Sequence, residues 1–258
     1  MSDDELQLLL ELHLPNTRQG PGSDAHTLRA LELSGLAGAE GLQVADLGCG
    51  TGAATMALAE ALDGAQITAV DLFPAFLDAL RERAEARGVA ATITTLEASM
   101  DALPFAPNSL DLIWAEGAIY NMGFEAGVRA WRPLLAPGGV LAVSEITWLT
   151  TRRPDALDSH WARAYPEIAT ASAKIATLEA SGYTLLGYFP LPEACWMAHY
   201  YTPLRARFPA LLAAHADDPE RAAMARALID AEEAEIALYE AHKAHVSYGF
   251  YIAQKVGE

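Results

Sequence analysis

The stretch Val44-Ala45-Asp46-Leu47-Gly48-Cys49-Gly50-Thr51-Gly52 constrains this chain more than any other segment. A short apolar run over 42–47 reads as a strand, and Ala53–Leu62 reads as a helix. The glycines between them make a turn that side chains cannot crowd, so a ligand can approach the backbone closely. The first N–H groups of the following helix open onto the same space. Asp46, at the strand end, is placed to accept from a cationic or N–H-bearing group. Nineteen residues after Gly52, Asp71 closes a second apolar strand, Gln66–Asp71. In a doubly wound sheet that position reaches over the first loop, where a carboxylate can hold the two hydroxyls of a ribose. Asp71 can also cap the helix that Pro74 opens, since one carboxylate can serve both ends, and with the first motif in place ribose binding is the favoured role.

The rhythm that follows is strand, helix, strand. A helix over 73–87 is ended by Gly88, strands are expected at 91–96 and 110–115, and a helix at 124–135. Pro137-Gly138-Gly139 turns into a strand over 140–146. A helix over 172–181 and a strand over 183–189 continue the pattern. Before it lie helices at 3–13, with Leu6, Leu9, Leu10 and His13 at helical spacing, and from Ser23 or Asp24 to about Leu33. After it comes a long, mostly helical insertion, 191–245, and a closing strand over 246–253. Such alternation predicts a Rossmann-like doubly wound α/β fold in one domain. Its sheet is expected to be seven-stranded and mostly parallel. Residues 1–34 are expected to form a helical lid, and 191–245 a substrate cap.

Composition narrows the partners. Acids outnumber bases 34 to 17, for a formal charge of −17. Such a surface repels phosphate backbones and anionic lipid, so neither nucleic acid nor membrane is an expected partner. Two cysteines, Cys49 and Cys195, are too few for a disulfide framework. The opening Met-Ser-Asp-Asp-Glu has no signal-peptide character, and a cytoplasmic location is expected. The composition leaves room for a homodimer.

Two cofactors fit the glycine loop. Gly48-x-Gly50-x-x-Ala53 satisfies the loose dinucleotide fingerprint, so an NAD-dependent oxidoreductase is one reading. A pyrophosphate, however, would meet the repulsion of Asp46. The stretch Asp46–Gly52 also resembles motif I of the class I S-adenosylmethionine-dependent methyltransferases. Three further segments are similar to that family. They are Ala98-Ser99-Met100-Asp101-Ala102-Leu103-Pro104-Phe105, Leu110-Asp111-Leu112-Ile113-Trp114, and Leu134-Leu135-Ala136-Pro137-Gly138-Gly139. The order of Gly20-Pro21-Gly22-Ser23, Ser99-Met100-Asp101 and Ala115–Asn121 looks like a bacterial, type 11-like subgroup of small-molecule methyltransferases.

The resemblance implies S-adenosyl-L-methionine as cofactor, S-adenosyl-L-homocysteine as product, and an antiparallel last strand over 246–253; no metal is expected. It places Asp46 near the methionine amino group, Asp71 and Leu72 at the ribose, and Ser99 and Met100 at the adenine, where the family more often has an acid in the Ser99 position. Gly48, Cys49, Gly50 and Gly52 form the loop, and Arg18, Ser23 and Glu116 complete the expected cofactor set. Arg18 is suited to hold a carboxylate in a segment that closes over the site.

An in-line methyl transfer mainly needs a placed nucleophile and exclusion of water, with a base where the acceptor carries a proton. Glu116 and Tyr120, after the fourth strand, and His199, in the aromatic run Cys195–Tyr201, are the expected catalytic residues. The acceptor is expected to be a small molecule with an N, O or C nucleophile. A non-catalytic module that binds S-adenosylmethionine is the third reading. His242-x-x-His245 has no acid or thiol beside it to complete a metal set. The Glu232-Glu233-x-Glu235 cluster is read as a solvated helix face.

Overall fold

The computed structural model describes residues 2–257. Eight strands form one sheet: β1 (Gln43–Leu47), β2 (Gln66–Asp71), β3 (Ile93–Glu97), β4 (Leu110–Glu116), β5 (Leu135–Trp148), β6 (Ala169–Thr170), β7 (Tyr183–Pro190) and β8 (Val246–Lys255). Their order is β3-β2-β1-β4-β5-β8-β7, with the two-residue β6 pairing off β5. β8 runs antiparallel to both β5 and β7, while β1 to β5 pair in parallel. The mostly parallel sheet and its antiparallel closing strand are therefore present. The short β6 adds an eighth strand to the seven expected.

Helices cover both faces, as the near-continuous apolar strands require. On one face α2 (Asp24–Leu33) and α3 (Ala53–Ala61) pack Ala30, Leu31, Ala54 and Leu58 against Val44, Leu112, Trp114 and Val140. Beside them α4 (Pro74–Arg87) sets Leu77, Leu80 and Ala84 on Ala69. On the other face α5 (Phe124–Trp131) and α7 (Ala171–Ala180) bury Phe124, Val128, Trp131 and Leu178 against Ile113, Ala115, Leu141 and Val143. The parity of these strand residues is the alternation that a two-sided core demands.

A third cluster caps the carboxyl end of β5. It joins α1 (Asp3–His13), α6 (Asp155–Ala164) and the helices of 191–245. Those last are α8 (Glu193–Trp196), a π-turn at Met197–Tyr201, α9 (Thr202–Arg205), α10 (Phe208–Ala214) and α11 (Pro219–His242). The cluster rests on Ile146, Trp148 and Val246 at the sheet edge. In α1 the fully buried residues are Leu8 and Leu12, beside His13; Leu6, Leu9 and Leu10 are half-buried, one register step from the expected stripe.

Besides β6, two further elements differ from expectation. Pro137-Gly138-Gly139 does not separate helix from strand but forms a bulge inside β5. The register jumps from Leu110↔Leu135 to Leu112↔Val140, and Gly138 takes φ +76°. The helix expected over 124–135 accordingly stops at Trp131 and gives way to a 3₁₀ turn at Arg132–Leu134. The second difference is α6, for which no element was expected between 147 and 171. Among the described residues no helix is long and apolar enough to cross a membrane.

Candidate active site

The site lies beyond the carboxyl ends of β1, β2, β4 and β5, where ligands of open α/β sheets bind. Its floor is the glycine loop. Gly48 and Gly50 have φ +70° and +54°, and the N–H groups of Gly48 and Cys49 both donate to the Val70 carbonyl, at 2.8 and 3.0 Å. A Cβ at Gly48 would lie 2.5 Å from the Ala118 Cβ. The loop therefore packs directly on the segment after β4.

Asp71 fixes the loop from the neighbouring strand. Its Oδ2 accepts from the Gly50 N–H at 2.8 Å and its Oδ1 from the Phe73 N–H at 3.0 Å. It thus anchors the turn into α4 and the glycine loop at once. Burial pushes the Asp71 carboxyl above the usual range, against the pull of those N–H donors. Asp46 is buried and accepts from the Thr55 hydroxyl at 2.6 Å. Burial pushes its carboxyl up to about 7, with the neighbouring carboxylates Glu116 and Asp71 adding to the effect. The Cys49 thiol is buried and pushed up for the same reason, so it is a packing group and not a nucleophile.

The segment between α1 and α2 is strapped across this loop. Gln19 Oε1 accepts from the Thr51 N–H at 2.9 Å, while its Nε2 donates to the carbonyls of Asn16 and His13. Arg83 ties the Asn16 carbonyl and the Thr51 hydroxyl from α4. Arg18, with its side chain only 9% exposed, donates to Glu116 Oε2 at 2.7 Å and Asp24 Oδ1 at 2.9 Å. Glu116 Oε1 accepts from Thr27 at 2.5 Å and Trp114 Nε1 at 3.1 Å. Both Glu116 oxygens are committed to holding the strap against the end of β4.

Three cavities meet here, and Gln19 and Gly117 line all three. The first, of about 90 Å³, has Asp46, Cys49, Arg18 and Glu116 in its wall. The second, about 430 Å³, is lined by Asp71, Leu72, Phe73, Ser99, Met100 and Tyr120 among others. The third, about 250 Å³, opens under the cap and is walled by aromatic side chains and Glu235.

Most of the residues singled out in the sequence are brought together. Asp46, Gly48, Cys49, Gly50, Asp71, Leu72, Ser99, Met100, Arg18, Glu116 and Tyr120 line one or more of these cavities. Gly52 caps α3 just behind the loop. Ser23 and His199 lie outside. Ser23 caps α2 and bonds to His26 Nδ1 at 2.6 Å. His199 sits on the exposed side of the π-turn, away from all three cavities, while its neighbours Trp196 and Tyr200 face inward.

The acid cluster of α11 is not a uniform solvated face. Glu233 pairs with Arg205 at the surface, but Glu235 accepts from the Tyr201 hydroxyl at 3.0 Å and lines the third cavity. Burial pushes the Glu232 carboxyl up to about 7. The signal was available: Glu232 and Glu235 share the helical stripe of Leu228, Ile229, Ile236 and Tyr239. Trp161 and Tyr165, contributed by α6 and the turn after it, were also missed, because no element was expected there.

Known proteins share the fold that carries this site. Residues 44–139 match the family model described as "Methyltransferase domain". The chain is 32% identical over 109 residues to a ubiquinone/menaquinone biosynthesis C-methyltransferase UbiE of Shewanella woodyi. That stretch covers 42% of this chain and 43% of the relative, so the match spans less than half of either. A methyltransferase of Geobacter sulfurreducens, solved with S-adenosyl-L-homocysteine, superposes with TM-score 0.80 at 18% identity, over 96% of this chain and 97% of that one. The [4+2]-cyclase SpnF superposes with TM-score 0.75 at 21% identity, over 98% and 94%. These likenesses extend the fold over nearly the whole chain. The strand–glycine loop–helix unit and the strands that flank it, residues 44–139, are thus similar to a methyltransferase domain, and nearly the whole chain shares the fold of these solved neighbours.

Proposed function

We propose that this protein transfers a methyl group from S-adenosylmethionine to a small-molecule acceptor. The carrying observation is the junction of three cavities at Gln19 and Gly117, one beside a buried carboxylate, one of nucleoside size and one enclosed by aromatics. The residues fit the cofactor by their chemistry. Asp46 is a buried carboxyl whose side chain, among the described residues, accepts only from a hydroxyl, which suits an ammonium group. Asp71 is held in place at the rim of the second cavity, suited to ribose hydroxyls, and Met100 and Phe73 offer apolar walls to a flat ring. A dinucleotide would bring its pyrophosphate among Asp46, Asp71 and Glu116.

The cofactor supplies a methyl on a sulfonium, a leaving group activated by its own charge. The protein's part is placement and dryness. The Gln19 strap and the Arg18–Glu116 pair close the glycine loop from above. Tyr120, which lines both the second and third cavities, stands between cofactor and acceptor. In this reading 1–34 acts as a lid and 191–245 as a cap over an enclosed acceptor pocket. The test is parallel calorimetric titration with S-adenosylmethionine, S-adenosylhomocysteine and NAD. Micromolar binding of the first two alone is expected; NAD binding alone would overturn the reading.

A pH dependence follows from Asp46. Its carboxyl rises from 3.8 to about 7 on folding. Between those values the folded protein keeps a proton that the unfolded chain gives up. Its contribution to stability therefore falls as pH rises through that window. A cation bound beside Asp46 favours the carboxylate. Cofactor affinity is thus expected to climb as pH rises to about 7 and to level off above it, with proton uptake by the buffer. In Asp46→Asn the climb should flatten. An unchanged slope in that variant, read by calorimetry in buffers of different ionisation enthalpy, would exclude Asp46 as its source.

A further inference from the structure

We propose that the third cavity is a cation cage and that the methyl acceptor is an amine. This rests on the methyl-transfer reading for its chemistry, but not for its binding test. The cavity is walled by Tyr120, Trp161, Tyr165, Trp196, Tyr200 and Tyr248, and Glu235 is its one charged side chain among the described residues. No lysine or arginine lines it. The rings are held at angles to one another. Trp196 and Tyr248 have centroids 5.1 Å apart and tilted by 60°, and Tyr120 and Tyr165 stand edge to face at 6.1 Å. Trp196 is fixed from behind by stacking on Tyr239 at 4.4 Å and by donating to Ser247.

A ring of aromatic π faces closed by one carboxylate is what an ammonium prefers over a neutral or anionic group of the same size. Burial keeps the Tyr165, Tyr200 and Tyr248 phenols protonated, so they add no negative charge of their own. Glu235 has one oxygen held by Tyr201, which sets the direction of the carboxylate. An anionic acceptor would meet this carboxylate with no cation in the cavity wall, since Lys174, over the Tyr165 ring at 5.2 Å, is already paired with Glu145.

The same features favour the transfer itself. The neutral amine nitrogen donates its lone pair to the methyl carbon as the carbon–sulfur bond breaks and its pair returns to sulfur. Positive charge thereby arrives on nitrogen inside the cage, where the π faces and Glu235 stabilise it more than they stabilise the neutral amine. A hydrogen on that nitrogen leaves afterwards as a proton to water.

The test needs no turnover. Choline and its uncharged isostere 3,3-dimethylbutan-1-ol are titrated into the full chain, with tryptophan fluorescence and calorimetry as readouts, alone and with S-adenosylhomocysteine. Choline is expected to bind at least about tenfold more tightly than the alcohol. Glu235→Gln should reduce that preference at least about tenfold, and Trp161→Leu, which keeps apolar bulk but removes a π face, should also reduce it. Equal binding of the two probes, or a preference unchanged in both variants, overturns the cage. If S-adenosylhomocysteine binds and choline does not, the cage falls and the methyl-transfer reading stands. If choline is preferred but neither S-adenosyl ligand binds, the cage stands and methyl transfer falls.

Discussion

Lys174→Met is expected to destabilise the protein by about 3–5 kcal/mol at neutral pH, read from denaturant melts. Lys174 and Glu145 form an ion pair at 3.0 Å with side chains 2% and 0% exposed. Lys174 also donates to the Glu167 carbonyl at 3.3 Å and lies over the Phe124 ring at 4.5 Å. Glu145 has less support, since among the described residues its Oε2 has no hydrogen-bond partner within normal reach. Burial pushes the Glu145 carboxyl up and the Lys174 amine down, so the pair is held by its own attraction against desolvation. Removing the lysine leaves a buried carboxylate that must take a proton or unfold the surrounding core. A protonated Glu145 in the folded variant sits above its unfolded value, so the deficit should shrink as pH falls towards the usual carboxylate range. The double variant Lys174→Met with Glu145→Gln should recover most of the loss, because replacing both charges removes the desolvation cost as well as the attraction. A single-variant loss below about 1 kcal/mol would mean that water reaches the pair. Function should suffer too: the residues on either side of Glu145 are Ser144, whose hydroxyl accepts from the Gly117 N–H at 2.9 Å, and Ile146, in the wall of the third cavity.

How much of this was legible in the sequence depends on the range of the interactions involved. The glycine loop and Asp71 could be read because their roles are set by local chain geometry: positive φ after a strand, and an acid at the next strand's end. The antiparallel β8 could be read as the last strand because its aromatic and small residues alternate. Pro137-Gly138-Gly139 was misjudged because a glycine that turns a chain and one that bulges a strand have the same local signature. Only the pairing of Leu110 with Leu135 tells them apart. The cap was harder still. Its residues meet through contacts distant in sequence, such as Tyr201 with Glu235 and Trp196 with Ser247. Aromatic density in Cys195–Tyr201 pointed to this region. It could not show that the π-turn sends Trp196 and Tyr200 inward and His199 out. Gln19 carried no motif at all, and its importance lies in four bonds to His13, Asn16 and Thr51 that exist only once the strap is folded.

Asp71→Ala is expected to weaken binding of S-adenosylhomocysteine by about 10- to 150-fold, the loss of one charge-assisted hydrogen bond or more. Two effects contribute and must be separated. The first is structural: the alanine leaves the Gly50 and Phe73 N–H groups without their acceptors, which loosens both the glycine loop and the start of α4. The second is direct, the loss of a carboxylate facing the second cavity. Asp71→Asn divides them. Its amide oxygen still accepts from one of the two N–H groups, so more of the stability should return than with alanine. If the carboxylate binds ribose hydroxyls, affinity stays low in Asp71→Asn even where the melting temperature recovers. The sharper readout is the ratio of affinities for S-adenosylhomocysteine and its 2′-deoxy analogue. The native protein should prefer the hydroxylated ligand by about tenfold or more, and both variants should lose that preference. A preference retained in Asp71→Ala would place the ribose elsewhere and leave Asp71 as an anchor of the loop alone. Equal losses of both ligands would mean that Asp71 acts only through the shape of the loop. A vanished preference with a restored melting temperature can come only from a carboxylate that meets the ribose itself.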